Sequence, residues 1–285
     1  MRRIWIFAVV ACMAFGGEIR YGDGTFEMEG GFLGLTVSRS TDIESYSLVE
    51  QHKNISDSVW YYAYNLTWFD SKRLQQASQS LVTGGEPYAT SVIEMPSLDY
   101  RFEGFDAEGV VGYDFYHDSE RTYAGAGLMF GLSTPWIDSQ KSGDSSTDPA
   151  YDDLYEKSKT EILTFRVGPS IQVSKALGSI FSIYGSATIG YQFGSVKNDY
   201  ARTDSNVQGW FDAVDIGLRL QALSYDKDMG WFTLSPRLYA TAGFRYTYWQ
   251  LKDLAVDTSG SGIAFGESDL KMSTSTVYAA IGYAF

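Results

Sequence analysis

Cysteine occurs once in this chain, histidine twice and proline six times. A lone cysteine excludes an intrachain disulfide and a thiolate metal cluster. Basic residues are also scarce, with 22 Lys and Arg against 35 Asp and Glu for a formal charge of −13. That balance argues against nucleic acid as a partner. After residue 15 no apolar run approaches the roughly 18 residues that a membrane-spanning helix needs. Yet 44% of residues are hydrophobic and 16% aromatic, with 29 glycines. Apolar residues so abundant and so dispersed suggest strands carrying them on alternate positions.

The first residues follow a different plan. Arg2 and Arg3 precede the apolar run Ile4 to Phe15, and Gly16 and Gly17 lead to the charged Glu18. Basic start, short apolar segment and small residues together form the pattern of a secretory signal peptide. The expected division is a signal over residues 1–17 and one domain over 18–285. Val9 to Cys12 loosely fits a lipoprotein box, but three apolar residues follow Cys12, which is read as part of the signal core. Removing residues 1–17 takes away two arginines and the cysteine. The remainder holds 20 basic against 35 acidic residues, a charge of −15.

Period-two alternation marks ten candidate strands: 24–38, 42–52, 58–70, 97–117, 121–135, 159–175, 179–195, 206–224, 230–250 and 270–285. Leu163, Phe165, Val167, Ile171 and Val173, for instance, face away from Thr164, Arg166, Ser170 and Gln172. The first and fourth candidates change phase near Gly30 and Gly104, which suggests bulges. Connections alternate in length. Those at 53–57, 118–120, 176–178 and 225–229 are short, and those at 71–96, 136–158, 196–205 and 251–269 are longer; only the first connection on the longer side, 39–41, is short. Such sorting fits a transmembrane antiparallel up-and-down β-barrel with short turns on one side and long loops on the other. Ten strands is the main expectation. Eight or twelve are the alternatives, because 42–52 is a weak strand and 71–96 has room for a hairpin. Aromatic clusters at Trp60–Tyr62, Trp68–Phe69, Tyr113–Tyr116 and Tyr246–Trp249 suit belts where lipid meets water. A soluble lipocalin-like barrel would alternate equally, with its apolar face inward.

The last strand closes the argument. Val277, Ala279, Ile281, Tyr283 and Phe285 alternate with Tyr278, Ala280, Gly282 and Ala284, and the run stops on Phe285. With a terminal Phe and a Tyr two residues earlier, the chain resembles the single-chain bacterial outer-membrane β-barrel superfamily. The resemblance implies the outer membrane of a Gram-negative bacterium. It implies outer-membrane lipids as surroundings, and periplasmic chaperones and the barrel assembly machinery as partners during biogenesis, the last reading this terminal pattern. The stretches Tyr21–Phe26 (YGDGTF), Gln51–Asn54 (QHKN) and Tyr64–Asp70 (YNLTWFD) resemble an uncharacterised outer-membrane family of campylobacter-like bacteria, which carries over no functional residues.

Barrel enzymes of this membrane need a general base near the outer rim. His52 and His117 both fall at the opposite, periplasmic ends of their strands and read as solvated turn residues. Asp144, Asp148, Asp152 and Asp153 lie in loop 136–158, with six acidic residues against Lys141 and Lys157. Their spacing follows no calcium loop. No cofactor and no metal is expected.

The predicted inward faces carry Glu27, Glu29, Asp99, Arg101, Glu103, Arg166, Asp215, Arg219, Arg237 and Arg245. With a tight turn at 225–229, Asp215, Arg219 and Arg237 come within diagonal reach of one another. Mixed charges in a narrow tube can pair and fill it or line a wet path. The first option gives a non-enzymatic barrel with a charge-filled lumen, acidic extracellular loops and a structural or surface-interaction role. The second gives a small porin-like channel or transporter. An outer-membrane enzyme is the remaining alternative, disfavoured by the histidines.

Overall fold

Ten antiparallel strands close on themselves in the computed structural model. It describes residues 17–32, 35–55, 58–76, 79–83, 91–95, 98–141, 159–198, 203–221, 227–228, 233–235, 237–254 and 268–284. The strands are β1 (Gly17–Phe32), β2 (Leu35–Asn54), β3 (Trp60–Ser71), β4 (Leu98–Ser119), β5 (Thr122–Lys141), β6 (Thr160–Ala176), β7 (Phe181–Asn198), β8 (Thr203–Leu220), β9 (Leu238–Leu254) and β10 (Ser268–Tyr283). Each pairs with its sequence neighbours, and β10 pairs with β1 from Gly17↔Tyr283 to Gly30↔Leu270. Closure leaves no free edge along the ring, the condition for a sheet to sit in lipid.

The ten expected strands are all present, with different ends. β1 spans 17–32 rather than 24–38 and β2 begins at 35 rather than 42, so the first connection falls at 33–34 instead of 39–41. Segment 72–97 does contain a hairpin, Gln79–Thr83 with Ser91–Met95, but it pairs only with itself, and the wall keeps ten strands. The supposed tight turn at 225–229 is instead a connection over 221–237 that holds a two-residue ladder. The bulges expected near Gly30 and Gly104 are absent: both glycines sit in unbroken ladders. Residues 1–16, which hold nearly all of the expected signal, lie outside the described residues, as do Asp144, Asp148, Asp152, Asp153 and Phe285.

The wall is inside-out relative to a soluble protein. Phe165, Ile171, Ile183, Ile189, Phe193, Trp210, Ile216, Phe244, Val277 and Ile281 point outward and are exposed, whereas Arg166, Gln172, Gln192, Asp215 and Thr241 are buried inside. This excludes the lipocalin-like arrangement, whose apolar face would be internal. A contiguous outward apolar band belongs in hydrocarbon. Aromatic pairs flank it: Trp60 meets Tyr113 edge-on at 5.8 Å, and Trp68 meets Trp136 at 5.5 Å. The strands have 12 to 22 residues, more than the roughly 9–11 that cross a bilayer, so the wall extends beyond the lipid. The base of the barrel is the end where β1 starts and β10 stops, and the top is the opposite end.

Candidate functional site

The lumen is filled from the top downward. At the top Phe26 stacks on Phe102 at 3.8 Å, Phe69 stacks on Phe102 at 5.0 Å, and Trp249 packs edge-on to Phe211 at 6.1 Å. Ile43, Leu251 and Met272 complete this apolar layer, each almost wholly buried.

Below it lies a chain of alternating charge. Arg166 pairs with Asp106 and stands 3.7 Å from Glu108; Arg245 bonds Glu108 at 2.7 Å and approaches Asp215 at 3.9 Å. Arg20 pairs with both Asp215 and Glu18. Glu18 also accepts from Thr241 at 2.9 Å and from Gln51 at 3.2 Å, and Arg219 donates to Gln51 at 2.6 Å. Four carboxylates thus meet three guanidinium groups, and a fourth, that of Arg219, joins through Gln51. Buried charges persist only when paired and hydrogen-bonded, and the aromatics contribute here. Arg166 lies 3.7 Å over the Phe211 ring, Arg20 lies 4.3 Å over Tyr278, and Arg219 lies 4.3 Å over Tyr239. Tyr278 donates to Asp215 and shares a hydrogen bond with Tyr184.

Glycine makes this filling possible by letting rings lie flat on the neighbouring strand. A Cβ at Gly112 would fall 2.4 Å from the Tyr61 ring, and one at Gly217 would fall 2.3 Å from the Tyr184 hydroxyl. The inward glycines of β5 likewise hold side chains rather than space: Gly125 faces Tyr61 and Gly131 faces Arg166. Small cavities of about 30 and 50 Å³ lie in the lumen, lined by Arg20, Asp106, Glu108, Asp215 and Arg245 among others.

Of the ten charges expected inside, Arg166, Asp215, Arg219 and Arg245 meet in this network. Asp99 is buried near the top, but on the strand face of Arg101 and Glu103 rather than that of Phe102. The others need correction. Glu27 and Glu29 face outward, where Glu29 pairs with Lys271 at 3.3 Å, because the intervening Met28 and its neighbour Phe26 take the inward positions. Arg101 and Glu103 flank the inward Phe102 and pair with each other at 2.9 Å, and Arg101 also pairs with Asp70. Arg237 is exposed in the connection before β9. Its expected neighbours lie elsewhere in the register, since Asp215 opposes Arg245 and Arg219 opposes Thr241. The long 221–237 connection shifts β9 relative to a tight hairpin.

Glu18, Arg20, Asp106 and Glu108 were not anticipated. Arg20 and Glu18 precede the expected first strand. Asp106 and Glu108 fall where the fourth seemed to change phase. The signal that finds them is parity: 102, 104, 106, 110, 112 and 114 are all buried, with no slip between them. The histidines also differ from expectation. His52 and His117 do lie at the base, but the side chain of His52 is 3% exposed, and both rings meet Asp114.

No family model matches the chain, and no curated protein does. Solved structures similar to it are bacterial outer-membrane barrels. Outer membrane protease OmpT from Escherichia coli is 7% identical, with a TM-score of 0.47, covering 95% of this chain and 97% of that one. Neisserial surface protein A is 11% identical, with a TM-score of 0.30 and coverage of 94% and 97%. Outer membrane protein OprG from Pseudomonas aeruginosa is 10% identical, with a TM-score of 0.34 and coverage of 94% and 97%. Likeness this distant carries nothing about activity. The inside-out wall and closed ladder make the chain, by fold, a ten-stranded barrel of the outer-membrane type.

Proposed function

We propose that this chain is a closed, non-enzymatic barrel in the outer membrane of a Gram-negative bacterium, with its base in the periplasm and its top outside. Its role is structural or in surface interaction, exercised by the loops rather than the lumen. The observation that carries this reading is the charge-compensated network capped by the Phe26–Phe102 stack. The lumen cavities among the described residues, of about 30 and 50 Å³, have room for a few waters each, which supports a closed tube. The non-enzymatic part rests on the two imidazoles, which both sit at the base, away from an outer-rim substrate.

Outer-membrane lipids are the proposed surroundings of the apolar band. Periplasmic chaperones and the barrel assembly machinery are the proposed partners in biogenesis. In β10, Val277 and Ile281 point outward at 66% exposure, a presentation suited to recognition of the terminal strand.

Planar-bilayer recording on the purified full chain tests the closed state, with folding established independently by circular dichroism. The expected record is free of unitary steps across a range of salt. Discrete steps scaling with salt concentration would replace this reading with a small channel for solutes.

A further inference from the structure

Two strand irregularities at the base bring three ligating side chains to one point. In β2 the register passes from Glu50↔Tyr64 to Lys53↔Tyr62, so Gln51 and His52 oppose a single residue. Both side chains then reach inward, Gln51 to Glu18 and His52 to Asp114. In β4 the ladder skips Phe115, passing from Asp114↔Gly125 to Tyr116↔Ala124. On a regular strand residues i and i+3 point to opposite faces. The extra residue puts Asp114 and His117 on the same one.

Asp114 Oδ2 lies 3.0 Å from His52 Nε2, 3.3 Å from His117 Nδ1 and 2.9 Å from Asn54 Nδ2. Its twin Oδ1 is buried with no partner, and so are His52 Nδ1 and Gln172 Oε1. The His52 ring is fixed between Tyr123, at 3.8 Å, and Tyr61, at 4.3 Å. A Cβ at residue 125 would stand 2.6 Å from both Asp114 Oδ1 and the Tyr61 ring, so Gly125 lets the carboxylate and the ring pack together there.

We propose that His52, Asp114 and His117 bind one divalent transition-metal cation of the Zn²⁺ class. Their ligand atoms all lie within 4.8 Å of one another. Donors about 2.0–2.2 Å from zinc in a tetrahedral or octahedral set stand roughly 3.0–3.5 Å apart. Two imidazoles with one carboxylate suit zinc, iron or nickel, while calcium and magnesium prefer oxygen alone.

Nε2 of His52 and Nδ1 of His117 both face Asp114. Coordination through these atoms needs each imidazole proton on the ring's other nitrogen, which leaves a lone pair for the metal. On His52 that proton sits on Nδ1, facing the amide of Gln172, whose Oε1 is otherwise unpartnered. On His117, about one-third exposed, it meets water. The unpartnered pair His52 Nδ1 and Gln172 Oε1 is thereby satisfied, as the outer shell of a metal-bound histidine requires. The cation ties β2 to β4 across β3.

The test is calorimetric titration of Zn²⁺ into the full chain, purified in detergent and stripped with chelator, with visible absorption of Co²⁺ as a second readout. One equivalent should bind, Ca²⁺ should not displace it, and Co²⁺ should give ligand-field bands. His117→Ala, which touches the most exposed ligand, should weaken binding by more than about 100-fold. Gln172→Leu should weaken it by about 10–100-fold through the second shell. Asp114→Asn keeps the shape and should abolish the Co²⁺ bands. Sub-stoichiometric binding, full displacement by Ca²⁺, or affinity unchanged in folded His117→Ala and Asp114→Asn protein would each overturn the proposal. The Co²⁺ spectrum of the unsubstituted chain decides the matter if a variant does not fold.

Discussion

Asp215 on β8 stands directly across the ladder from Arg245 on β9, and Arg20 from β1 reaches the same carboxylate. One carboxylate thus serves two arginines, and the charges run Glu18, Arg20, Asp215, Arg245, Glu108, Arg166, Asp106 without two like signs in succession. A tube this narrow offers little water to screen an error. The sign order therefore matters more than the number of pairs.

Asp215→Asn preserves shape and removes the charge between two guanidinium groups. Breaking a buried pair from one side costs about 3–5 kcal/mol, and a loss of that order is expected in denaturant unfolding from lipid vesicles. Asp70→Asn is the control. Its partner Arg101 is 37% exposed on the outer wall, where an ion pair contributes about 1 kcal/mol or less. Equal losses at the two sites would mean that the lumen is as wet as the surface.

The outer wall offers a second test. Ile189 of β7 is 56% exposed on the outer wall, where its strand also carries Ile183, Tyr191 and Phe193, and it opposes Asp212 of β8. In a bilayer, Ile189→Arg should lower folding stability by about 2–4 kcal/mol if it lies near the midplane. Thr25 of β1, also outward but beside Asp42, should accept Arg with little change. A neutral result at Ile189 in vesicles would place the apolar band outside the hydrocarbon.

The contrast between Ile189 and Thr25 also explains what the sequence made legible. Strand number and alternation depend on period two alone, and the ten segments were readable. Facing was readable wherever lipid lies outside and charge inside, as on β6 at Phe165 and Arg166. At the top the media trade places. There the wall carries Glu27, Glu29, Arg101 and Glu103, and the lumen holds Phe26 and Phe102. An apolar residue on such a strand marks the inside, so an unbroken strand looks as if it had slipped. The slips that matter at the base, at Gln51–His52 and Phe115, have no glycine, and the residues themselves do not announce them. The long 221–237 connection hid the Asp215–Arg245 pairing for a simpler reason: register follows turn length.

The fit of Tyr61 over Gly112 gives a third test. Gly112→Ala places a methyl group 2.4–2.5 Å from three atoms of a fully buried Tyr61 side chain. Overpacking of this kind costs about 1–3 kcal/mol. Adding Gly112→Ala to Tyr61→Ala should cost almost nothing further, because the clash is gone. Additive losses in that double-mutant cycle would show that the glycine serves the backbone rather than the ring.

Arg166 is the most demanding position. Its side chain is fully buried, paired with Asp106, 3.7 Å from Glu108 and 3.7 Å from the Phe211 ring. Arg166→Met keeps the stem against Phe211 but strands Asp106 and leaves Glu108 to Arg245 alone. Loss of about 3–5 kcal/mol is expected from the uncompensated carboxylate. Adding Asp106→Leu removes that charge as well and joins two apolar side chains to the Phe69, Phe211 and Trp249 layer above. The double variant should recover most of the loss, since a buried ion pair and a well-packed apolar pair are often nearly equivalent in stability. It should also remain closed in bilayer recordings, because volume rather than charge then blocks the path. Recovery of stability together with new conductance would separate the two roles, making this ion pair the seal of the lumen and not merely its filling.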